Sequence, residues 1–275
     1  MPMQDGGMEI IMIRVKDIIN RIEELAPPSL AESWDNVGLM TGDLDQRVTT
    51  VFVCLDVTSD NVRRAIDCGA DLIVSHHPLI FSPIHRIVEQ DISGSIIREL
   101  IRNDISVYSA HTNLDNADGG MNDILAERLG LTAVRRFYDE ECVDETGKPI
   151  ENIGRFGILE NPMTMEAFVS FVNGALGCRA IRYVGSPDEI IRTAALCSGA
   201  GGSGIYSAYH AGADVYVTSD IKHHEGQLAF ELGMNLIDAG HFETENIICN
   251  FMTEFLESSF ESLNVIPSDA PPYFN

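Results

Sequence analysis

GADLIVSHHP (Gly69–Pro78) and GADVYVTSDIKHH (Gly212–His224) together decide the fold. Each opens on the same GAD triplet, runs through a short apolar stretch of strand length and ends on histidines. A second pair stands in the same relation. SVYSAHTNLD (Ser106–Asp115) and NLIDAGHFETE (Asn235–Glu245) each follow a strand-like run with a histidine and place a carboxylate four residues beyond it. Two matches in the same order point to an internal duplication. They predict two similar α/β units related by a pseudo-twofold axis, able to intertwine and to bring loops from both halves to one cleft.

Around these stretches, β-rich runs alternate with helical ones. The first half reads as a strand at 50–57, a helix at 60–68, a strand at 72–75, a helix at 95–102 and a strand at 105–110. The second half repeats the alternation with strands at 193–198, 214–219 and 235–239, helices to 211 and at 226–232, and a last helix at 245–258. Strands at 155–160 and 180–184 flank a helix at 165–176. This is an α/β rhythm, with a mostly parallel or mixed sheet flanked by helices in each unit. An amphipathic helix with apolar Val15, Ile18, Ile19, Ile22 and Leu25 precedes it all and stops before Pro27. The acidic stretch YDEECVDETGKPIEN (138–152) reads as an exposed linker, which divides the chain into a first repeat at 10–137 and a second at 153–265.

Composition narrows the function. A formal charge of −24 over 275 residues opposes direct contact with a nucleic-acid backbone. The apolar run Ile10–Ile13 is too short for a signal-peptide core or a membrane span, so the expectation is a soluble, cytoplasmic protein with no membrane partner. Residues 1–9 read as a disordered leader. The six cysteines lack CxxC spacing and read as reduced, mostly buried thiols.

In parallel α/β sheets, functional groups collect at the carboxyl ends of strands. His76, His77, His111, Asp115, Asp220, His223, His224, His241 and Glu245 all lie just past such ends. Imidazole with carboxylate suits zinc, iron, manganese, cobalt or nickel, and the lack of cysteine disfavours a structural zinc site. Each residue also has a plainer role. A lone strand-end histidine is ordinarily a hydrogen-bonded surface or capping group, Asp115 could form a turn or cap, and Glu245 could complement a helix dipole. Adjacent His76 and His77, held extended by Pro78, are the hardest to explain that way. Trp34 is expected to pack against the first helix, and the glycine-rich turn CSGAGGSG (Cys197–Gly204) either receives an anion on its amides or permits tight packing.

Five segments in order, WDNVGLMTGD (Trp34–Asp43), SHHPLIF (Ser75–Phe81), HTNLDNADGGMND (His111–Asp123), VTSDIKHHE (Val217–Glu225) and DAGHFETE (Asp238–Glu245), resemble the signature segments of the Nif3-like dinuclear metal centre proteins, also known as GTP cyclohydrolase 1 type 2 homologues. The resemblance is to the short form, without the domain that longer members insert mid-chain. It implies two divalent ions held by His76, His77, Asp115, His241 and Glu245, with Glu245 bridging, His77 and Asp115 on one ion, and His76 and His241 on the other. His111, Asp220 and His224 would orient these ligands or transfer protons, or serve as plain turn and capping residues. Ser219 stands where relatives often carry glycine, and is expected to alter its loop slightly.

The same resemblance implies a homohexamer and a metal-dependent hydrolase of the GTP cyclohydrolase type acting on a small molecule, with His224 or His111 moving a proton. A metal storage or delivery protein without catalysis would use the same ligands.

Overall fold

The computed structural model describes residues 12–143, 149–151 and 153–274. The leader read at 1–9 lies outside them. The first half runs α1 (Val15–Leu25), β1 (Gly38–Thr41), β2 (Thr50–Cys54), α2 (Ser59–Asp67), β3 (Leu72–Ser75), α3 (Ile92–Arg102), β4 (Ser106–Ser109), α4 (Thr112–Asn116), α5 (Met121–Arg128) and β5 (Leu131–Arg135). A pair of short strands, β6 (Tyr138–Val143) and β7 (Pro149–Glu151), comes next. The second half runs β8 (Arg155–Thr164), α6 (Met165–Leu176), β9 (Arg182–Val184), β10 (Ile190–Leu196), α7 (Ile205–His210), β11 (Val215–Thr218), α8 (His223–Leu232), β12 (Asn235–Asp238), α9 (His241–Glu245), α10 (Ile247–Ser259) and β13 (Asn264–Pro267).

Among the described residues, one sheet has the order β1-β4-β3-β2-β13 and another the order β5-β8-β10-β11-β12-β9. The run β1-β4-β3-β2 repeats as β9-β12-β11-β10. In each, the first strand is antiparallel to the second and the other three are parallel. The duplicated α/β architecture expected from the sequence is present. The sheets then diverge, since β2 gains parallel β13 whereas β10 gains antiparallel β8. The chain's last helix and strand return to the first sheet, where Ile248, Met252 and Leu256 of α10 share a core with Val15, Ile18 and Ile22 of α1.

The repeated GAD triplet has a structural cause. Gly69 and Gly212 take left-handed backbone (φ 69° and 75°) to turn from helix into strand. Each following aspartate ties its strand to the neighbouring strand that precedes it in the chain. Asp71 accepts from the amides of Thr49 and Thr50 at 2.7 and 3.1 Å, and Asp214 from those of Arg192 and Thr193 at 2.8 and 2.9 Å. Neither strand that follows exposes a face: β3 and β11 are buried throughout, as apolar runs in a covered parallel sheet must be.

Two elements differ from expectation. The acidic stretch at 138–152 contains an antiparallel pair, β6 with β7, where composition alone suggests loop. The single helix expected from 245 is two, because α9 ends at Glu245 and α10 begins at Ile247. Glu245 therefore closes a short helix that His241 opens, which puts the two on one face at i and i+4. Five cysteines, Cys54, Cys68, Cys178, Cys197 and Cys249, are free thiols, and no described helix is long and apolar enough to cross a membrane.

Candidate metal centre

The carboxyl ends of β3, β4, β11 and β12 converge. Past β3, the His76 and His77 amides donate to the carbonyls of Cys54 and Leu55, extending the ladder with β2. Past β4, His111 and Asp115 sit at the start and within the single turn of α4, pinned where the His111 amide meets Asn113 Oδ1 at 2.9 Å. Past β12, α9 carries His241 and Glu245. His76, Asp115 and Glu245 are buried, while His77, His111 and His241 are half-buried.

The imidazoles share one orientation. His77 Nδ1 lies 2.7 Å from Asp56 Oδ1, His241 Nδ1 2.8 Å from Asp220 Oδ2, His111 Nδ1 2.9 Å from Asp35 Oδ1 and His76 Nδ1 2.9 Å from the Ala110 carbonyl. Those acceptors have no hydrogen to give, so each Nδ1 carries the proton and each neutral ring presents a bare Nε2. The bare atoms meet acceptors. His77 and His241 Nε2 are each 2.9 Å from Glu245 Oε2, and His76 Nε2 is 3.6 Å from Asp115 Oδ1 and 3.9 Å from Glu245 Oε1. Among the described residues, His76 Nε2 and Asp115 Oδ1 are buried without a hydrogen-bond partner. Lone pairs gathered in this way need protons or cations between them.

Without a metal the need is met by protons. Burial would depress the His77 and His241 imidazoliums, but the Asp56 and Glu245 carboxylates raise His77 to about 10, and Glu245 with Asp220 raises His241 to about 9. Burial brings His76 down to about 3, despite the opposing pull of Glu245. Burial and the nearby Glu245 charge hold Asp115 well above the carboxylate range. For Glu245, burial is outweighed by His241 and His77, and its carboxyl falls well below that range.

The structure brings together His76, His77, His111, Asp115, His241 and Glu245. Within that set, the ligating atoms of His76, His77 and His111, and those of His77, His241 and Glu245, lie close enough to share an ion. By distance His77 groups with His241, and His76 with Asp115, which differs from the grouping the resemblance implies. His224 is not brought in: it is exposed in the first turn of α8.

Ser219 does not take the left-handed position either. That falls on Asp220 (φ 55°), a residue type that tolerates it, while the buried Ser219 hydroxyl donates to the Gly199 carbonyl at 2.5 Å. Gly199 itself requires glycine, since a Cβ there would stand 2.1 Å from Glu245 Oε1. Trp34 is a correction: 59% exposed, it packs on Phe81 and His111 and lines the site, because the buried side chain of its neighbour Asp35 anchors their loop to α4.

Sequence reasoning missed Asp56. It lies just past β2, the same strand-end position as the other site residues, and that placement could have found it. Its second oxygen accepts from the Tyr273 hydroxyl at 3.1 Å. The cluster opens on two sides, to a cavity of about 500 Å³ that Trp34, Asp115 and the glycine-rich turn line, and to one of about 480 Å³ that Asp56, Asp220 and Tyr273 line.

Residues 13–272 match the model of the Duf34/NIF3 (NGG1p interacting factor 3) family. The chain belongs to this family. Among Duf34/NIF3 relatives, it is similar to a "GTP cyclohydrolase 1 type 2 homolog" of Clostridium perfringens, 38% identical with 85% of this chain and 87% of the relative covered. A protein of the same name from Clostridium acetobutylicum is 35% identical, covering 92% of this chain and 93% of its own. In solved structures, the Bacillus cereus protein related to NIF3 superposes with a TM-score of 0.87 at 27% identity, covering 96% of this chain and 99% of that one. A Staphylococcus aureus protein reaches 0.85 at 32% identity with the same coverage. The resemblance read from five motifs, and the two-unit α/β fold read from the internal duplication, are both borne out.

Proposed function

We propose that the protein is a dinuclear-metal hydrolase whose ions are held by His76, His77, Asp115, His241 and Glu245. The observation that carries this reading is the set of inward lone pairs: Nε2 of His76, His77 and His241 facing the oxygens of Asp115 and Glu245, with every Nδ1 hydrogen already used. Five protein ligands shared between two ions leave coordination positions open. A pair of divalent ions there would lower the pKa of water and polarise a substrate oxygen.

The chain's own residues have separable tasks. Asp56, Asp220 and the Ala110 carbonyl fix the imidazole rings, so that the ligand atoms need not reorganise when charge develops. His111, held by Asp35, faces the cluster from the larger cavity and is placed to accept or return a proton there. Exposed His224 has no such place in a single chain. The relatives' name supports GTP as the substrate and ring opening as the reaction. A closed homo-oligomer, hexameric by resemblance, and a cytoplasmic location belong to the same proposal.

Protein purified without chelator, measured for metal and then assayed with GTP, tests the reading. About two ions per chain, with turnover lost on chelation and regained on adding back one metal, supports a hydrolase. Two ions that transfer to an apo-protein, without turnover of any substrate, would make it a metal-delivery protein.

A further inference from the structure

β13 lies parallel to β2, with Pro267 beside Val53, so the chain leaving β13 runs towards the strand end that carries Asp56. That exit is fastened. The Ser268 amide donates to the Val53 carbonyl at 2.7 Å, the Ser268 hydroxyl donates to Asn61 Oδ1 at 2.7 Å, and Asp269 pairs with Arg64. Asn61, buried in the first turn of α2, directs its side-chain amide the other way and donates to the Asp56 carbonyl at 2.8 Å. Beyond Pro271 and Pro272, the Tyr273 hydroxyl donates to Asp56 Oδ2 at 3.1 Å. The segment after β13 therefore holds Asp56 twice, at its carbonyl through Asn61 and at its carboxylate directly.

A carboxylate bonded through one oxygen can still swing about its Cβ–Cγ bond. Asp56 Oδ1 accepts from His77 Nδ1 at 2.7 Å while Oδ2 accepts from Tyr273, so both oxygens are engaged and the plane of the carboxylate is fixed. The two prolines restrict their own backbone, which lowers the entropy lost in keeping Tyr273 over Asp56. Tyr273 is 61% exposed, so the core does not need its ring, and the hydroxyl contact is what its position secures.

The other oriented imidazole has no such support. Among the described residues, Asp220 takes no side-chain donor besides His241. The sheets explain the difference: the exit of parallel β13 leads to the cluster, whereas antiparallel β8 ends at Thr164, beside Ile190 at the far end of β10.

We propose that Tyr273 is a positioning residue for the metal centre: through Asp56 it sets the orientation of His77, and it makes the two imidazoles that meet Glu245 unequal. The inference rests on the ligand set proposed above, since His77 belongs to it. The chain of contacts from Tyr273 through Asp56 to His77 exists without ions, which allows it to be tested apart from them.

Tyr273→Phe keeps the ring and removes the hydroxyl. In competition with a chromophoric chelator for zinc, the full-length variant should bind several-fold more weakly, short of the roughly 10–100-fold expected when a direct partner of a ligand is lost. Tyr273→Ala should lose the same amount, and neither change should cost anything further in an Asp56→Asn background. In chelated protein with 15N-labelled histidine rings, Tyr273→Phe should shift the His77 Nδ1–H resonance more than that of His241.

Unchanged zinc affinity together with an unmoved His77 resonance overturns the inference and leaves the metal reading standing. A loss in Tyr273→Ala that Tyr273→Phe restores also overturns it, because the ring would then act by packing alone. A protein that binds no zinc, yet whose His77 resonance answers to Tyr273→Phe, keeps the positioning of His77 and discards the metal reading.

Discussion

His77 and His241 face each other Nε2 to Nε2 at 3.3 Å, and each has its Nδ1 hydrogen committed, to Asp56 and to Asp220. The two histidine–aspartate pairs have the same separation in sequence, 21 residues, and come from different halves of the chain. Each half thus delivers one oriented imidazole to the same carboxylate, Glu245. What lies between the rings must be positive, as metal or as protons.

That requirement gives the metal-free protein a definite pH dependence. Folding raises His77 from 6.5 to about 10 and His241 from 6.5 to about 9. Raised pKa values mean that the folded state binds protons more tightly than the unfolded one, so the contribution is complete below pH 6.5 and is lost as pH rises through about 9 and 10. Asp115, also raised, acts in the same sense. Thermal melts of chelator-treated protein should show Tm falling across that interval. Metal-loaded protein, whose ions replace those protons, should fall much less. Equal slopes for the two forms would count against a metal at this place.

Glu245→Gln keeps the shape of the side chain and removes the charge that meets both imidazoles. Metal affinity should fall by more than the roughly 10–100-fold that follows loss of a residue which merely orients a ligand. Circular dichroism should be unchanged, because Glu245 contributes charge and not core volume. Metal analysis after extensive dialysis is the readout, and wild-type retention would remove Glu245 from the ligand set.

Asp56→Asn and Asp220→Asn test orientation separately from ligation. Neither carboxylate touches the other rings, yet each sets the tautomer of one imidazole. Either change should cost about 10–100-fold in metal affinity, with the two effects similar because the residues play equivalent parts in the two halves. Competition with a chromophoric chelator measures both. An effect from one alone would show that the ions do not share the two rings evenly.

Much of this site could be read in the sequence because it is built from strand ends, and strand ends follow from apolar runs such as LIVS and NLID. The GAD repeats and the His-to-carboxylate spacing located the duplication and the converging loops. Other features depended on contacts between distant segments. Trp34 reads as a core residue by type, but Asp35 is the buried member of that loop and pulls it to α4. His224 sits in a histidine-rich motif, yet α8 begins at His223 and carries it outward. Asp56 was open to the same strand-end reasoning, but its pairing with His77, 21 residues on and one strand across, was not.

Arg155 links the halves from within. Its side chain, 2% exposed, meets Asp123 of α5 at 2.6 Å and donates to the Ala117 carbonyl at 2.9 Å. Arg155→Met leaves the Ala117 carbonyl without its side-chain donor and Asp123, which keeps the Gly119 amide at 2.7 Å, without its ion-pair partner, and should destabilise the fold by about 1–3 kcal/mol, the usual cost of leaving a buried acceptor unsatisfied. Urea denaturation measures it.

Gly199→Ala couples backbone strain to the metal centre. Gly199 has φ +59°, and an added Cβ would lie 2.1 Å from Glu245 Oε1 and 3.3 Å from His241 Nε2. Left-handed backbone alone costs alanine about 1–2 kcal/mol. The clash adds displacement of the carboxylate that both imidazoles meet, so both stability and metal content should fall. Gly212→Ala is the control: it has φ +75°, nothing within 4 Å of its Cβ, and lies in the turn between α7 and β11, at the opposite end of that strand from Asp220. It should show the backbone cost in a denaturation curve and retain its metal in full. If Gly199→Ala bound metal as well as Gly212→Ala does, Glu245 would have room to move, and the close fit of the glycine turn against it would not matter for ligation.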